Sequence, residues 1–418
     1  MKTMRMSQVV AGLLLVLGVG AVTRVVLSGP FEVSAGTLGI AGTQVTFGVY
    51  LDLLSASLLA FVASIALIVS VYAGRNLRGQ RRLVRFGALL TLSFVSLSLM
   101  VTGASLPMIA LGWTVSGLLL SGLVAHRAGP SAQRAGAAVR RQLLVGDALL
   151  WTGVVAAFVA LPTLDRAELA GAVSGSTALF VAAAALGGAA VVRSALLPAT
   201  GWLPLTAEAP SPVSAYLHAG VVNGAGVLVA LLWPLFFAVP AVLGAFIVIG
   251  VVTVVVASLA AKTRPDVKGQ LAASTSAQMG YMTIQLGLGL PAAAVLHLIG
   301  HGYYKAWMFL RAGGAVTRHR STPARPALPG WERWLGIGVA LAAVGGTVAF
   351  VMPRIIDTLA MLGPASVLPL LAASATAAVA VYALWARATL RRLTSTIIGV
   401  VASLATLGGY LLVLTWWD

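Results

Sequence analysis

Three titratable side chains follow one another in HLIGHGYYKAWMFLRAG: His297, His301 and Lys305, at i, i+4 and i+8. That spacing puts all three on one face of a helix. Histidine titrates near neutrality and relays protons, and burial lets a lysine switch charge as well. Three such groups stacked in an apolar helix are hard to explain as packing. They fit a proton relay with Lys305 as carrier. Two histidines one turn apart also resemble a metal pair, but no carboxylate or cysteine lies near them, so no metal is expected in this chain.

A second group lies upstream between Val192 and Asn223, where Arg193, Glu208 and His218 share a stretch with Pro198, Gly201, Pro204, Pro210 and Pro212. A backbone break at membrane depth is tolerated only where protein or a water-filled cavity satisfies the freed groups. Ionisable side chains beside such a break usually face a pathway or a partner. Arg193 stays charged. It either organises water, an anion or a carboxylate, or is an ordinary arginine at the cytoplasmic interface. Glu208 either pairs with Arg193, closing a gate at the Pro198–Pro204 break, or is a loop carboxylate. His218 is a relay or a structural histidine, and Asn223 a hydrogen-bonding group between helices. Asp52 and Asp147 read as first-turn carboxylates that favour the helix dipole, or as partners of a buried cation. Asp147 is the better candidate for pairing, as the sole acidic residue of its helix. Lys268 is a cytoplasmic anchor or the near end of the relay, and Arg24 snorkels to the interface.

The elements that must hold these residues are membrane helices. The chain has 418 residues, 59% hydrophobic and 9% charged, with a mean hydropathy of +0.99. Soluble domains carry about 25% charged residues, so an all-α polytopic membrane protein is expected. The net charge of +17 does not indicate nucleic acid, because Lys and Arg fall in short runs between apolar segments. With no cysteine, disulfides, iron–sulfur clusters and thiolate zinc sites are excluded. The first apolar run lacks a clear cleavage site and reads as a retained helix.

At roughly 20 apolar residues per span, about thirteen helices are expected: 7–28, 50–73, 86–103, 105–125, 143–161, 175–198, 211–238, 240–262, 268–290, 291–313, 331–352, 364–387 and 393–416. The cation runs Arg75–Arg85, Arg127–Arg141, Lys262–Lys268, Arg318–Arg325 and Arg387–Arg392 all follow even-numbered helices. Glu32, Asp165, Glu168 and Asp357 fall on the other side. Lys/Arg excess marks the cytoplasm, so the N-terminus is expected inside, the C-terminus outside and the protein in the cell (cytoplasmic) membrane. Trp416 and Trp417 read as interfacial anchors. One transmembrane domain, 1–418, is expected. With no cofactor cradle or soluble catalytic domain, the chain reads as a transporter subunit rather than an enzyme.

The residues then become recognisable. Arg193-Ser-Ala-x-x-Pro198 through Trp202-Leu-Pro204, Ala209-Pro-Ser-Pro-Val-Ser-Ala-x-x-His218-Ala, Ala272-x-Ser-Thr-x-x-Gln-Met-Gly-Tyr-Met282 and His297-x-x-x-His-x-x-x-Lys305-Ala-x-x-Phe-Leu310 resemble the antiporter-like family. That family includes the large membrane subunits of respiratory complex I and the Mrp cation/proton antiporters. Within it the wording looks most like the DabB group, the membrane subunits of two-component inorganic carbon pumps. This rests on Glu208-Ala-Pro-Ser-Pro, Leu217-His-Ala-Gly-Val-Val-Asn223, Gln278-Met-Gly and Gln285-Leu-Gly-Leu-Gly.

The resemblance implies two inverted five-helix repeats, about 86–238 and 240–387, flanked by peripheral helices in 1–85 and 388–418. It also implies proton conduction and a cytoplasm-facing DabA-like zinc partner similar to a β-carbonic anhydrase, within a heteromer of this or higher order. Zinc would belong to that partner, with no cofactor in this chain. The sequence departs from the family in three places. Trp113 is followed by Thr114 where a glutamate is usual. Arg193 replaces a lysine, and Leu196 a glutamine. The span 331–352 holds no ionisable residue between Arg333 and Arg354. These departures argue against an antiport path through both halves and leave a shorter route through His218, His297, His301 and Lys305. A complex I, hydrogenase or Mrp-type subunit, and a non-conducting anchor for a catalytic partner, remain the alternatives.

Overall fold

Caps and prolines start most helices of the chain. Asp52 and Ser55 form a reciprocal capping box at the start of α2, and Asp266 caps α12 through Gly269 N–H at 2.6 Å. Pro130, Pro240 and Pro291 sit at the first turns of α5, α11 and α13, where a missing N–H costs nothing. The computed structural model describes residues 2–313, except 41, 81, 128, 173 and 174, and short helical stretches between 331 and 346.

Two compact units emerge, Met1–Val316 and Thr317–Asp418. In the second, 331–332 and 334–339 are helical within the expected span 331–352. The spans 364–387 and 393–416, the Trp416–Trp417 anchor, the outside C-terminus and the end of the second repeat lie outside the described residues.

The first unit runs α1 (Lys2–Ser28), β1 (Phe31–Ile40), β2 (Thr43–Leu51), α2 (Leu53–Asn76), α3 (Leu83–Thr102), α4 (Leu106–Val124), α5 (Pro130–Ala160), α6 (Leu169–Ala172), α7 (Thr177–Arg193), α8 (Ser211–Ala219), α9 (Gly224–Leu231), α10 (Trp233–Phe237), α11 (Pro240–Thr263), α12 (Val267–Gly287) and α13 (Pro291–Ala312). Ten of the thirteen expected spans fall here, so the count of thirteen is not confirmed. Seven described segments are long and apolar enough to cross a membrane, α8 and α9 counting together as one. The helices α12 and α13, read as spans, fall short of that apolarity because both carry polar and titratable residues along much of their length. Small residues let helices touch: a Cβ on Gly250 of α11 would lie 2.7 Å from the Gly280 carbonyl of α12.

Several boundaries differ from expectation, among them the span expected at 175–198, whose helix ends at Arg193. The span expected at 50–73 begins at Leu53, because residues 31–51 form an antiparallel hairpin, β1 on β2, that its Gly- and Thr-rich wording concealed. The helix expected at 143–161 starts at Pro130, since the Arg-bearing stretch before it, read as loop, is Ala-rich and helical. The expected span 211–238 is cut at Gly220–Asn223, where a 3-10 turn separates α8 from α9.

Alternate loops meet on one side of the bundle, as successive antiparallel spans require. Ala104 N–H donates to Gly48 O at 3.1 Å, Leu106 N–H to Leu164 O at 2.9 Å and Gln44 N–H to Pro162 O at 3.2 Å. Asp165 closes this cap, accepting from Thr46 N–H at 2.7 Å and Thr46 Oγ1 at 2.5 Å. Arg166, which sequence reasoning passed over, is buried and pairs with Asp52 at 3.0 Å. Asp52 is thus both a helix cap and the partner of a buried cation. Burial pushes the Arg166 guanidinium down and Asp52 pulls it back up. Replacing Asp165 by alanine strands the buried Thr46 N–H and should cost about 2 kcal/mol, read as a lower thermal unfolding midpoint of the purified protein. Glu168→Ala, at an exposed position, should leave the midpoint unchanged.

Candidate functional site

The helix α13 packs against both α8 and α12, and it presents His297, His301, Lys305 and Phe309 at successive i, i+4 positions. Lys305 is 2% exposed. Its Nζ donates to Leu271 O at 2.9 Å and to Ser274 Oγ at 2.5 Å, both on α12. No carboxylate pairs with it among the described ion pairs. One turn away, His301 is also buried, and neither ring nitrogen has a protein partner. Its ring meets that of His297 edge-on at 6.0 Å.

His297 itself is held on both sides by α12. Nδ1 lies 3.2 Å from Gln285 Oε1, and Nε2 lies 2.9 Å from Gln278 Oε1. His218, 1% exposed on α8, stacks flat on Phe309 at 4.2 Å. Its Nδ1 is likewise unpartnered. His218 sits in the electrostatic field of Lys305, His301 and Lys268. The structure therefore brings the four expected relay residues to one seam between α8, α12 and α13.

Lys268 lies at the opening turn of α12, three residues before Leu271, whose carbonyl accepts from Lys305. Its Nζ donates to Ala209 O at 2.7 Å and to Ala207 O at 3.3 Å. These carbonyls belong to the irregular segment after α7, where Pro204–Glu208 forms a 3-10 turn. A protonated amine here satisfies carbonyls that no helix can. Pro198 is exposed and Pro204 half-buried at the start of that turn. The break begins two residues beyond Arg193, at Ala195, whose φ is +49°.

Arg193 is not the interfacial arginine one reading allowed. It is 1% exposed, its guanidinium lies over the Trp113 ring at 4.8 Å, and Nη2 donates to Trp113 O at 3.1 Å and to Ser116 Oγ. Nε and Nη1 have no protein partner. The pairing with Glu208 is absent: Glu208 is exposed and accepts from Ser131 Oγ at 3.4 Å. Asp147 is also corrected, from a first-turn carboxylate to one buried midway along α5, because that helix starts at Pro130. Thr114 faces away, accepting from Trp151 Nε1 at 3.1 Å. Asn223 donates to Ala219 O at 2.5 Å and bridges the second break. Arg24 is exposed, beside Phe31 at 5.3 Å, as an interfacial residue would be.

Sequence reasoning missed the cradle around Arg193. Its signal was present in Gly117 and Gly224. A Cβ at these positions would come 2.5 Å from Arg193 Nη1 and 2.5 Å from Arg193 Cγ respectively. Gly224→Ala should therefore overpack the site and cost about 1–3 kcal/mol, lowering the thermal midpoint. Gly201→Ala, with nothing within 4 Å of the added Cβ, should not.

The family model described as NADH:quinone oxidoreductase/Mrp antiporter, transmembrane, matches residues 103–326. A probable inorganic carbon transporter subunit, DabB1, from Halothiobacillus neapolitanus is 34% identical over 66% of this chain and 52% of its own length. NADH-quinone oxidoreductase subunit L from Pseudomonas aeruginosa is 33% identical over 73% of this chain and 51% of its own length. The chain thus spans about half the length of the curated relatives it matches. Among solved structures, the Mrp complex from Dietzia sp. covers 98% of this chain and 48% of the matched chain, at 24% identity and a TM-score of 0.68. An archaeal membrane-bound sulfane sulfur reductase covers 99% and 80%, at 18% identity and the same TM-score, which establishes a shared fold. With more than half of its length matched by the family model, the chain belongs to the NADH:quinone oxidoreductase/Mrp antiporter transmembrane family.

Proposed function

We propose that this chain is the proton-conducting membrane subunit of a complex that accumulates inorganic carbon. One observation carries the conducting part: a buried lysine with neutral acceptors only, beside a buried histidine with both ring nitrogens unpartnered, on a single helix face. A permanent buried charge without a counter-ion is costly, whereas a lysine that exchanges its proton bears that cost only part of the time. Lys305 is the central carrier, His301, His297 and His218 are relays, and Lys268 is the cytoplasmic end beneath the broken segment. Asp147 and Arg193 form the corresponding charge element of the first half. Exposed and bound to Ser131, Glu208 is no part of the path.

The carbon-accumulating part rests on the likeness to the DabB1 subunit and on the sequence wording around Glu208, His218 and Gln278. The partner is then a cytoplasm-facing zinc protein that hydrates carbon dioxide, with no catalysis in this chain. The cation runs between the apolar segments support an N-terminus in the cytoplasm, a C-terminus outside and residence in the cytoplasmic membrane. One proton crossing about 100 mV yields roughly 2.3 kcal/mol, equal to about a 50-fold concentration ratio. That suffices for modest accumulation per proton.

The second reading, a subunit of a respiratory, hydrogenase or Mrp-type complex, is favoured by the comparable identity to subunit L. Copurification separates the two: a large zinc protein supports the carbon pump, and iron–sulfur or small antiporter subunits overturn it. Lys305→Ala should abolish rescue of growth at ambient carbon dioxide in a bicarbonate-dependent host. Unchanged rescue, with the His301→Ala, Lys305→Ala double variant also active, would leave only an anchoring role.

A further inference from the structure

Outside the relay, one further titratable side chain is buried at a corner that the proposed topology puts in the cytoplasm. His126 lies two residues beyond the end of α4 and is 5% exposed. Its ring packs edge-on against Phe86, in the opening turn of α3, with 4.8 Å between centroids. Phe86 is itself fully buried, and His126 Nδ1 has no protein partner. The neighbouring α5 grips the preceding residue. Gln133 Nε2 donates to Ala125 O at 3.1 Å, and a Cβ on Gly136 would lie 2.6 Å from the Ala125 Cβ.

This seat suits a neutral imidazole and opposes a charged one. The charges acting on the ring are Arg85 and Arg82 of the α3 start, both exposed, and no carboxylate of the described residues is among them. Arg127, next in the chain, is a third exposed cation. From α5 the corner receives the neutral Gln133 and Gly136, and α1 reaches this end of α3 with Thr3 and Met4 at Gly87. The carbonyl end of α4 favours a positive charge. The net direction for the ring is nevertheless down, by burial first and the two arginines next.

We infer that His126 is a proton-operated latch on the cytoplasmic end of α4, seated on Phe86 when neutral and released when charged. The step is a proton transfer alone: an imidazole nitrogen takes a proton from water and returns it as pH rises. A released ring protonates near the ordinary value of about 6.5, while the seated ring resists. The seated state is therefore fully favoured above that value and is lost as pH falls through it. Further along, α4 carries Trp113 and Ser116, which hold Arg193, so release loosens a helix that frames the broken segment. On the conducting reading, inward proton flow acidifies the cytoplasm and the latch brakes the flow that protonates it.

The test exploits a chain with no cysteine. A spin label on Arg127→Cys, in the full-length chain in lipid vesicles, reports whether the corner is seated or released. From about pH 7.5 to about pH 5.5 the released-to-seated ratio should rise about tenfold, and His126→Phe should remove the rise. Proton flux driven by a membrane potential at equal pH on both sides should then be higher in His126→Phe than in the unsubstituted chain at the lower pH, and equal at the higher. Should His126→Phe fail to fold, Arg85→Gln, which takes one cation from the ring, should shrink the rise. An undiminished rise in His126→Phe or Arg85→Gln, or flux that ignores the release, overturns the latch and leaves the conducting reading standing. Absence of flux at every pH overturns the conducting reading instead, because the label response does not depend on flux.

Discussion

The cost of holding a full charge away from water governs this molecule. Moving an ion into a medium of low dielectric costs of order 20 kcal/mol in the idealised case, and several after relaxation. The first unit nevertheless buries Arg166, Arg193 and Lys305. Each is settled differently. Arg166 has a carboxylate in contact, and Arg193 has an aromatic face, a carbonyl and a hydroxyl, with a carboxylate further off. Lys305 has only a carbonyl and a hydroxyl. From Arg166 through Arg193 to Lys305 the charge is progressively less well paired.

The same constraint accounts for where regular structure stops. Helices end where polar groups can be satisfied by something else: at Lys268, which takes the carbonyls of Ala207 and Ala209, and at Asn223, which takes that of Ala219. Broken helices and buried charges are therefore one feature. The broken segment supplies acceptors that a continuous helix would consume, and the charged side chains make its open carbonyls tolerable. On the opposite side, the hairpin and the Asp165–Arg166 loop tie alternate connections together, which fixes the ends of the helices that carry the charges.

Much of this was legible in the residues. The i, i+4, i+8 spacing on α13 put His297, His301 and Lys305 on one face, because helical periodicity survives any packing. Apolar runs gave the ten described spans to within a few residues in most cases. The hairpin at 31–51 was not legible, since its glycines and threonines lack the clean alternation of a half-buried strand. The depth of Asp147 was hidden because a cationic, alanine-rich stretch reads as loop although it is helical. Arg193 was ambiguous for a general reason: an arginine ending an apolar run is usually interfacial. What decided its burial was tertiary, two glycines on other helices that clear room for the guanidinium.

The clasp around His297 imposes a condition on its chemistry. Both ring nitrogens face glutamine side-chain oxygens, from Gln278 and Gln285. A neutral imidazole offers one N–H and one lone pair, so it satisfies only one such oxygen as a donor. The other glutamine must then turn its amide half a revolution and offer NH2 instead. A doubly protonated ring serves both oxygens without any turn. The hydrogen-bonding state of the ring and the orientation of the two flanking amides are therefore linked.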